Sequence, residues 1–294
     1  MTAEYSNPTI PEGINTSERH PLRRFFVQSA QAVGVFIALS LVLAVAASLL
    51  APYVPFAWEQ RMAQSIARAF PAKPESETEK ALRDVAAKVA ARMNLPEGMD
   101  IKLRYSETDT VNAIAMPGGL VVVFRGLPEE LESEEELAAL LAHEIAHVQH
   151  RDVARGMMRA MGMAFLFSVV EPMAPVVSLM QHVSALSFSR SQETAADLAA
   201  VDALTHLYGH AGGAVRLFER MRDLVLDDQD EPPELMASHP NFDNRIASVR
   251  ERCAALPACA AEGKLTPLPA ALVAVREQAR ERAKEKSQEG ASKD

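Results

Sequence analysis

The chain has 294 residues, of which 48% are hydrophobic, so it is long enough for one sizeable domain with an appended segment. Its formal net charge of −9 argues against nucleic acid as a partner, because binding to a phosphate backbone depends on Lys and Arg. We therefore expect a packed domain with no nucleic-acid partner.

The N-terminal region contains an apolar stretch of membrane-spanning length. Residues 1–24 are polar and predict a cytoplasmic tail, and residues 25–52 carry no charge and match the length of a bilayer-spanning helix. The basic pair Arg23-Arg24 before it favours a cytoplasmic N-terminus, which places the rest of a single-pass protein on the periplasmic side of a bacterial inner membrane. A cleaved signal sequence remains the alternative, since Ala44-Val45-Ala46 resembles a cleavage site.

A predicted linker over residues 53–78 leads into the main domain, residues 79–256. Periodicity predicts a helix over 79–93, a strand over 100–105, and a hairpin of two strands, 111–116 and 120–124. Pro117-Gly118-Gly119 supplies the turn of that hairpin.

The next predicted helix carries the most informative motif of the chain, His143-Glu144-Ile145-Ala146-His147. Residues 134–148 are strong helix formers without Pro or Gly, and Ser133 with Glu136 has the pattern of a capping box. Positions i and i+4 share a helix face, so the two imidazoles can bind one ion. Glu144 then lies beside the metal, where it can take a proton from water, as in a zinc peptidase.

A catalytic zinc ion needs a third protein ligand and one open position. His150 is on the same straight helix, and three histidines at 143, 147 and 150 cannot all reach one ion. Glu193 is the other candidate, in a second predicted helix over 187–207, with Asp197 one turn later on the same face. The alternative for Glu193 is a solvated helix face on which it pairs with Arg190.

Together these motifs resemble the HtpX-like membrane-associated zinc metallopeptidases, which are gluzincins related to the CaaX-prenyl endopeptidases. The resemblance covers roughly residues 75–255, with the motifs in the family's order. The matching stretches are Asn112–Gly119, His143–His147, Arg190–Asp197, and Ser238–Pro240 with Arg245.

The resemblance implies a mostly helical α+β fold. This fold is a zincin-like metallopeptidase domain with an active-site helix and a small antiparallel sheet, preceded by one N-terminal transmembrane helix. It also implies one Zn²⁺ per subunit, bound by His143, His147 and Glu193, with Glu144 as general base.

Four further residues take expected roles from the same resemblance. Asp197 is expected to orient a histidine ligand, and Arg245 belongs to the motif that reaches back to the site. His239 is expected to stabilise the oxyanion of the tetrahedral intermediate. Asn112 and Ala113 are expected on a strand edge that binds substrate backbone, with an ordinary structural hairpin as the alternative.

Three segments leave alternatives open. The apolar region 156–186 predicts either a buried helical hairpin or a flap that contacts the membrane surface. Cys253 and Cys259 form a disulfide in an oxidising compartment or remain free thiols. Residues 257–294 predict a C-terminal extension with a charged tail.

The predicted activity is that of a zinc-dependent metalloendopeptidase acting on polypeptides. The resemblance suggests unfolded or damaged envelope or membrane proteins as substrates. A processing protease with one dedicated substrate is an alternative, and a membrane-anchored chaperone or scaffold with a silenced zinc site is another.

Overall fold

The computed structural model describes residues 21–67, 76–159, 188–227, 242–256 and 265–291, together with Thr9, Leu235 and His239. The described chain is mainly helical with one three-stranded sheet, which confirms the predicted mostly helical α+β fold. A further helical stretch covers residues 152–159. The named helices are α1 Pro21–Leu50, α2 Phe56–Ala67, α3 Glu77–Ala90, α4 Gly126–Glu130, α5 Glu134–Gln149, α6 Arg190–Tyr208, α7 Gly212–Asp227, α8 Phe242–Ala255 and α9 Ala270–Ala291.

The sheet consists of β1 (Lys102–Ser106), β2 (Ala113–Met116) and β3 (Leu120–Phe124), in the order β1-β3-β2. β2 and β3 form the predicted antiparallel hairpin around the short 3₁₀ turn Pro117–Gly119. β1 pairs with β3 in parallel, so the expectation of an antiparallel sheet was wrong in this detail and the sheet is mixed. β3, an apolar run that is buried over its first four residues, takes the central position between β1 and β2.

Helix α5 runs through the centre of the domain and packs against α3, α6 and α7. Its N-cap is as predicted, since the Ser133 Oγ accepts a hydrogen bond from the Glu136 N–H at 3.2 Å. The Glu136 carboxylate accepts instead from the Glu132 N–H at 2.7 Å, so the reciprocal half of the capping box is made one residue earlier. The cap fixes where α5 begins, and therefore which of its faces carries the histidines.

Among the described residues, one helical span, Leu22–Tyr53, is long and apolar enough to cross a membrane; it comprises α1 and the short 3₁₀ turn that follows it. Most of its large apolar side chains are exposed. The predicted linker, 53–78, contains helix α2, and residues 68–75 of it lie outside the described residues.

Two other predictions fall partly or wholly outside the described residues. These are the polar tail 1–24, of which residues 1–20 except Thr9 are not described, and the apolar region 156–186, of which residues 160–186 are not described. Cys253 in α8 is disulfide-bonded, and Cys259, the other cysteine of the chain, lies outside the described residues.

Candidate metal centre

Four buried side chains bring their donor atoms together between α5 and α6. His143, His147, Glu193 and His239 each offer one ligand atom, and these atoms all lie within 4.8 Å of one another. The first two come from α5, the third from the first turn of α6, and the fourth lies outside a helix. His150, the rejected third ligand, is at the C-cap of α5 and does not belong to this cluster.

The spacing of the donor atoms fits a tetrahedral metal ion. The Nε2 atom of His143 lies 3.1 Å from His147 Nε2 and 3.2 Å from His239 Nδ1. Glu193 Oε1 lies 3.0 Å from His239 Nδ1 and 3.4 Å from His147 Nε2. Metal–ligand bonds of about 2.0–2.1 Å in a tetrahedron place neighbouring ligand atoms ~3.3 Å apart. Zinc and this donor set therefore agree in both chemistry and size.

The charge around the cluster also favours a cation. The histidines are surrounded by four buried carboxylates, on Glu144, Asp152, Glu193 and Asp197. Among the described residues of the site, Arg245 carries the buried guanidinium. Buried negative charge in excess of positive charge is costly unless a cation neutralises it. A divalent ion bound by the four donors would supply that charge.

His143 is oriented by a carboxylate from α6, which is itself held by an arginine. The Asp197 Oδ1 lies 2.9 Å from the His143 Nδ1, and Arg245 donates two hydrogen bonds to Asp197, at 2.7 and 2.8 Å. Arg245 also lies 3.1 Å from Glu193 and donates to the His239 carbonyl at 3.2 Å. The position expected for Asp197 thus suits an orienting role, and Arg245 links three parts of the site.

His147 is oriented by a second carboxylate, which the sequence analysis missed. The Asp152 Oδ2 lies 3.1 Å from the His147 Nδ1, and the Gln192 amide donates to the Asp152 Oδ1 at 2.7 Å. Asp152 reaches back onto α5 because Arg151 takes a left-handed backbone conformation, with φ at 61°. The sequence contains a signal for this contact, an acidic residue five positions after a ligand histidine. Its carboxylate can reach the imidazole only if the chain turns sharply between the two residues.

Burial and these carboxylates shift the pKa values of the two α5 histidines in opposite directions. Burial and the nearby Arg245 lower the pKa of His143 to about 3, which keeps this imidazole neutral and able to bind a metal. Burial also opposes charge on His147, but hydrogen bonds to Asp152 and Glu193 prevail and raise its pKa to about 9. The same carboxylates that favour a proton on His147 would favour a metal ion in its place.

Glu144 is fully buried beside the donor cluster, with one oxygen fixed and one turned toward the site. Its Oε2 accepts a hydrogen bond from the Ala115 N–H at 2.9 Å. Its Oε1 lies 3.6 Å from the His239 Nε2, and among the described residues it has no hydrogen-bond partner. Burial raises the pKa of Glu144 above the usual range of a carboxyl group, partly opposed by His239, which suits a general base near neutral pH.

Strand β2 lies at an edge of the sheet next to α5. The Asn112 carbonyl accepts from the Phe124 N–H at 3.1 Å, so the backbone of Asn112 faces β3. Because backbone groups alternate along a strand, Ala113 and Ala115 face the other way, and the bond from Ala115 to Glu144 shows this directly. Of the two residues expected on the edge, Ala113 has its backbone directed outward and Asn112 does not.

Comparison with known proteins agrees with this geometry. A putative beta-barrel assembly-enhancing protease of Vibrio cholerae is 30% identical over 162 residues, which are 50% of this chain and 33% of that protein. The mitochondrial metalloendopeptidase OMA1 of Schizosaccharomyces pombe is 31% identical over 173 residues, 56% of this chain and 51% of that protein. The metalloprotease LoiP of Escherichia coli is 25% identical over 193 residues, 63% of this chain and 74% of that protein.

The chain thus matches only about a third of the length of the beta-barrel assembly-enhancing protease. The family model for peptidase family M48 matches residues 76–253, which hold the sheet, α5, α6 and all four donor residues. This match spans more than half of the sequence and confirms the predicted metallopeptidase family: the chain belongs to peptidase family M48.

Proposed function

We propose that this protein is a zinc-dependent endopeptidase that acts at a membrane, with Glu144 as its general base. The arrangement of Glu144 supports this proposal most strongly. Its carboxylate is held by the Ala115 N–H on one oxygen and directed at the donor cluster with the other. A purely structural metal site has no use for a buried carboxylate placed beside the ligands in this way.

His143, His147 and Glu193 are the proposed zinc ligands. Zinc bound there would act as a Lewis acid toward the scissile carbonyl and would lower the pKa of a bound water. Glu144 is placed to accept a proton from a water beside the cluster and to deliver it to the leaving nitrogen. Asp197 and Asp152 hold the two imidazoles with their Nε2 atoms 3.1 Å apart.

His239 has a different position from that of a simple oxyanion donor. Its Nδ1 lies among the candidate ligand atoms, 3.0 Å from the Glu193 carboxylate. Hydrolysis requires one open position for water, and His239 is the donor that lies outside α5 and α6. We propose that His239 is the donor that would leave a position open for water, and that its Nε2, 3.6 Å from the Glu144 Oε1, would donate a hydrogen bond to the developing oxyanion.

The outer edge of β2, on which the Ala115 N–H already binds Glu144, supports an extended peptide as substrate. In the part of the chain that the structure describes, β2 pairs with β3 only, and the Ala113 backbone points away from that partner. A peptide added as a strand would bind through main-chain bonds with little dependence on its side chains. This mode of binding suits unfolded polypeptide segments, which expose their backbone.

The proposed setting is the bacterial envelope, with the catalytic domain on the periplasmic side of the inner membrane. The apolar helix α1 supports an anchor, and the name of the Vibrio cholerae relative, a putative beta-barrel assembly-enhancing protease, supports an envelope protease. We propose unfolded or damaged envelope proteins as substrates. A single dedicated substrate is the second candidate. Pairing of a peptide with β2 would depend little on its side chains, which favours a range of unfolded substrates.

The full-length protein and its Glu144→Gln variant provide the test, with bound zinc and cleavage of unfolded casein measured on both. We expect both to bind one zinc ion and the variant to lose about 10²–10⁴-fold in cleavage rate, because only the base is removed. His143→Ala is the control that loses zinc and cleavage together.

Two results would contradict the proposal. A folded wild type that binds no zinc would remove the metal site itself. A wild type that binds zinc and leaves casein intact, both in detergent and in a bilayer, would favour the scaffold with a silenced site.

A further inference from the structure

Helix α2 lies between the membrane-length helix α1 and the metal centre, and its two faces differ in character. Five residues, 51–55, separate the end of α1 from Phe56, the first residue of α2. Glu59 and Ala63, one turn apart, are buried against the metallopeptidase domain. Trp58 and Arg61 are exposed on the other side, Trp58 to 48%.

The inner face is attached to the domain through a buried ion pair. The Glu59 carboxylate lies 2.5 Å from the Arg151 guanidinium and accepts a hydrogen bond from the Gly118 N–H at 3.3 Å. Arg151 also donates to the Val54 carbonyl at 2.6 Å and lies over the ring of Phe56. Because Glu59 is buried and the Arg151 side chain is only 11% exposed, loss of either partner would leave a poorly solvated charge unpaired.

Gly118 shows how closely α2 approaches the hairpin. Its φ is 72°, and a Cβ at this position would lie 2.8 Å from both the Ala63 Cβ and the Gln60 Cα. Only glycine therefore allows α2 to reach the turn between β2 and β3.

The two attachment points of α2 lie next to the catalytic groups. Gly118 follows β2 by two residues, and β2 carries the Ala115 N–H that holds Glu144. Arg151 forms the turn that directs Asp152 at His147. Helix α2 thus sets the position of the metal centre relative to whatever its outer face contacts.

The outer face has the composition of a membrane interface. Trp58 and Arg61 are three residues apart and share one side of the helix, and Tyr53 just before α2 is 83% exposed. Trp and Tyr concentrate at the boundary between lipid tails and headgroups. The Arg guanidinium pairs well with phosphate. The sequence continuity with α1 places this face at the end of the apolar helix, where headgroups begin.

We propose that α2 lies on the lipid headgroups through Trp58, Arg61 and Tyr53, and that its inner face holds the metal centre at a fixed height above the bilayer. This inference rests on the proposed membrane anchor. It predicts that the polypeptides cleaved are segments that lie close to the membrane surface.

Trp58 is the single tryptophan of the chain, so its fluorescence reports on α2 in the unmodified protein. The full-length protein would be reconstituted in phosphatidylcholine vesicles that contain phosphatidylglycerol and lipids brominated either near the headgroup or near the bilayer centre. We expect bromine near the headgroup to cause the larger loss of Trp58 fluorescence. Equal or larger loss with bromine at the centre would overturn the proposal, as would quenching by aqueous iodide alone.

A relocated tryptophan provides the control. Trp58→Phe combined with Gln278→Trp moves the fluorophore to an exposed position on α9. Helix α9 packs on α4, which follows the end of β3 away from Gly118, about 16 Å along a five-residue strand. We expect no quenching by either brominated lipid at this position. Headgroup quenching equal to that of Trp58 would show non-specific contact and would overturn the proposal.

An alkaline carbonate wash of the same vesicles separates this inference from the anchor on which it rests. Retained protein whose Trp58 is not quenched by lipid refutes the contact of α2 and leaves the anchor intact. Release of the protein by the wash refutes the anchor, and the inference with it. Cleavage of casein, measured on the released protein, then reports on the peptidase proposal alone.

Discussion

The two histidines of α5 are held by two carboxylates in very different ways. Asp197, which faces His143, lies on helix α6 and is fixed by two hydrogen bonds from buried Arg245. Asp152, which faces His147, follows a left-handed turn at Arg151 and is fixed by one amide hydrogen bond from Gln192. The first pair depends on regular helix geometry and a buried salt bridge, and the second on a turn whose Arg151 pairs with Glu59 of helix α2.

The comparison shows that two carboxylates can make the same contact with an imidazole while different structural elements hold them. Each carboxylate contacts the Nδ1 atom of a ring whose Nε2 atom lies in the donor cluster, which is the contact that orients a ligand histidine in metal sites. Different residues hold Asp197 and Asp152 in place, so substitutions of those residues should affect the two carboxylates differently.

The largest expected effect comes from removing Arg245. In Arg245→Met, Asp197 and Glu193 lose a buried cationic partner, which should lower the free energy of unfolding of the metal-free protein by about 3–5 kcal/mol. Chemical denaturation measures this change. Arg252→Met is the matched control, because its pair with Asp202 is largely exposed and should contribute less than about 1 kcal/mol. A similar loss of unfolding free energy in both variants would contradict a larger contribution from Arg245.

The two carboxylates can next be compared directly through zinc affinity. Asp197→Asn and Asp152→Asn should each weaken zinc binding by about 10–100-fold, since each removes the charge that orients a ligand. We expect the larger loss in Asp197→Asn, because Arg245 also loses its main partner. Competition with a chelator measures both. A larger loss in Asp152→Asn would reverse the comparison.

Gly118→Ala tests whether the docking of α2 supports the Arg151 turn. The added methyl group would clash with Gln60 and Ala63, and overpacking of this kind costs about 1–3 kcal/mol. Gly98→Ala is the control, since Gly98 has a similar φ of 78° but no atom within 4 Å of the added Cβ. We expect Gly118→Ala to lower both the free energy of unfolding and zinc affinity more than the control does. Equal effects would show that the docking is not needed by the site.

The smallest expected effect concerns the backbone of Arg151 itself. Arg151→Ala and Arg151→Gly both lose the contacts to Glu59 and Val54, but glycine tolerates a φ of 61° and alanine does not. The glycine variant should therefore be more stable by about 1 kcal/mol. Thermal unfolding of the two variants decides this, and equal stability would mean that the turn relaxes once its side chain is removed.

The sequence by itself determined the parts of this protein that follow from local periodicity. An i, i+4 spacing puts His143 and His147 on one face of α5, and the same spacing relates Glu193 to Asp197 on α6, as the structure shows. The capping residue Ser133 and the Gly-rich turn of the hairpin could likewise be predicted from the sequence, because caps and turns depend on a few neighbouring residues.

Only the tertiary structure decided the contacts between segments distant in sequence. The parallel pairing of β1 with β3 joins segments that are not adjacent in sequence, and the position of His239 depends on bonds to Glu193 and Arg245 from two other helices. Asp152 reaches His147 through a left-handed turn, and α2 docks on Gly118 through close packing and a hydrogen bond from the Gly118 N–H to Glu59. No local pattern encodes these features, since their stability comes from burial and pairing with residues that the chain brings together only on folding.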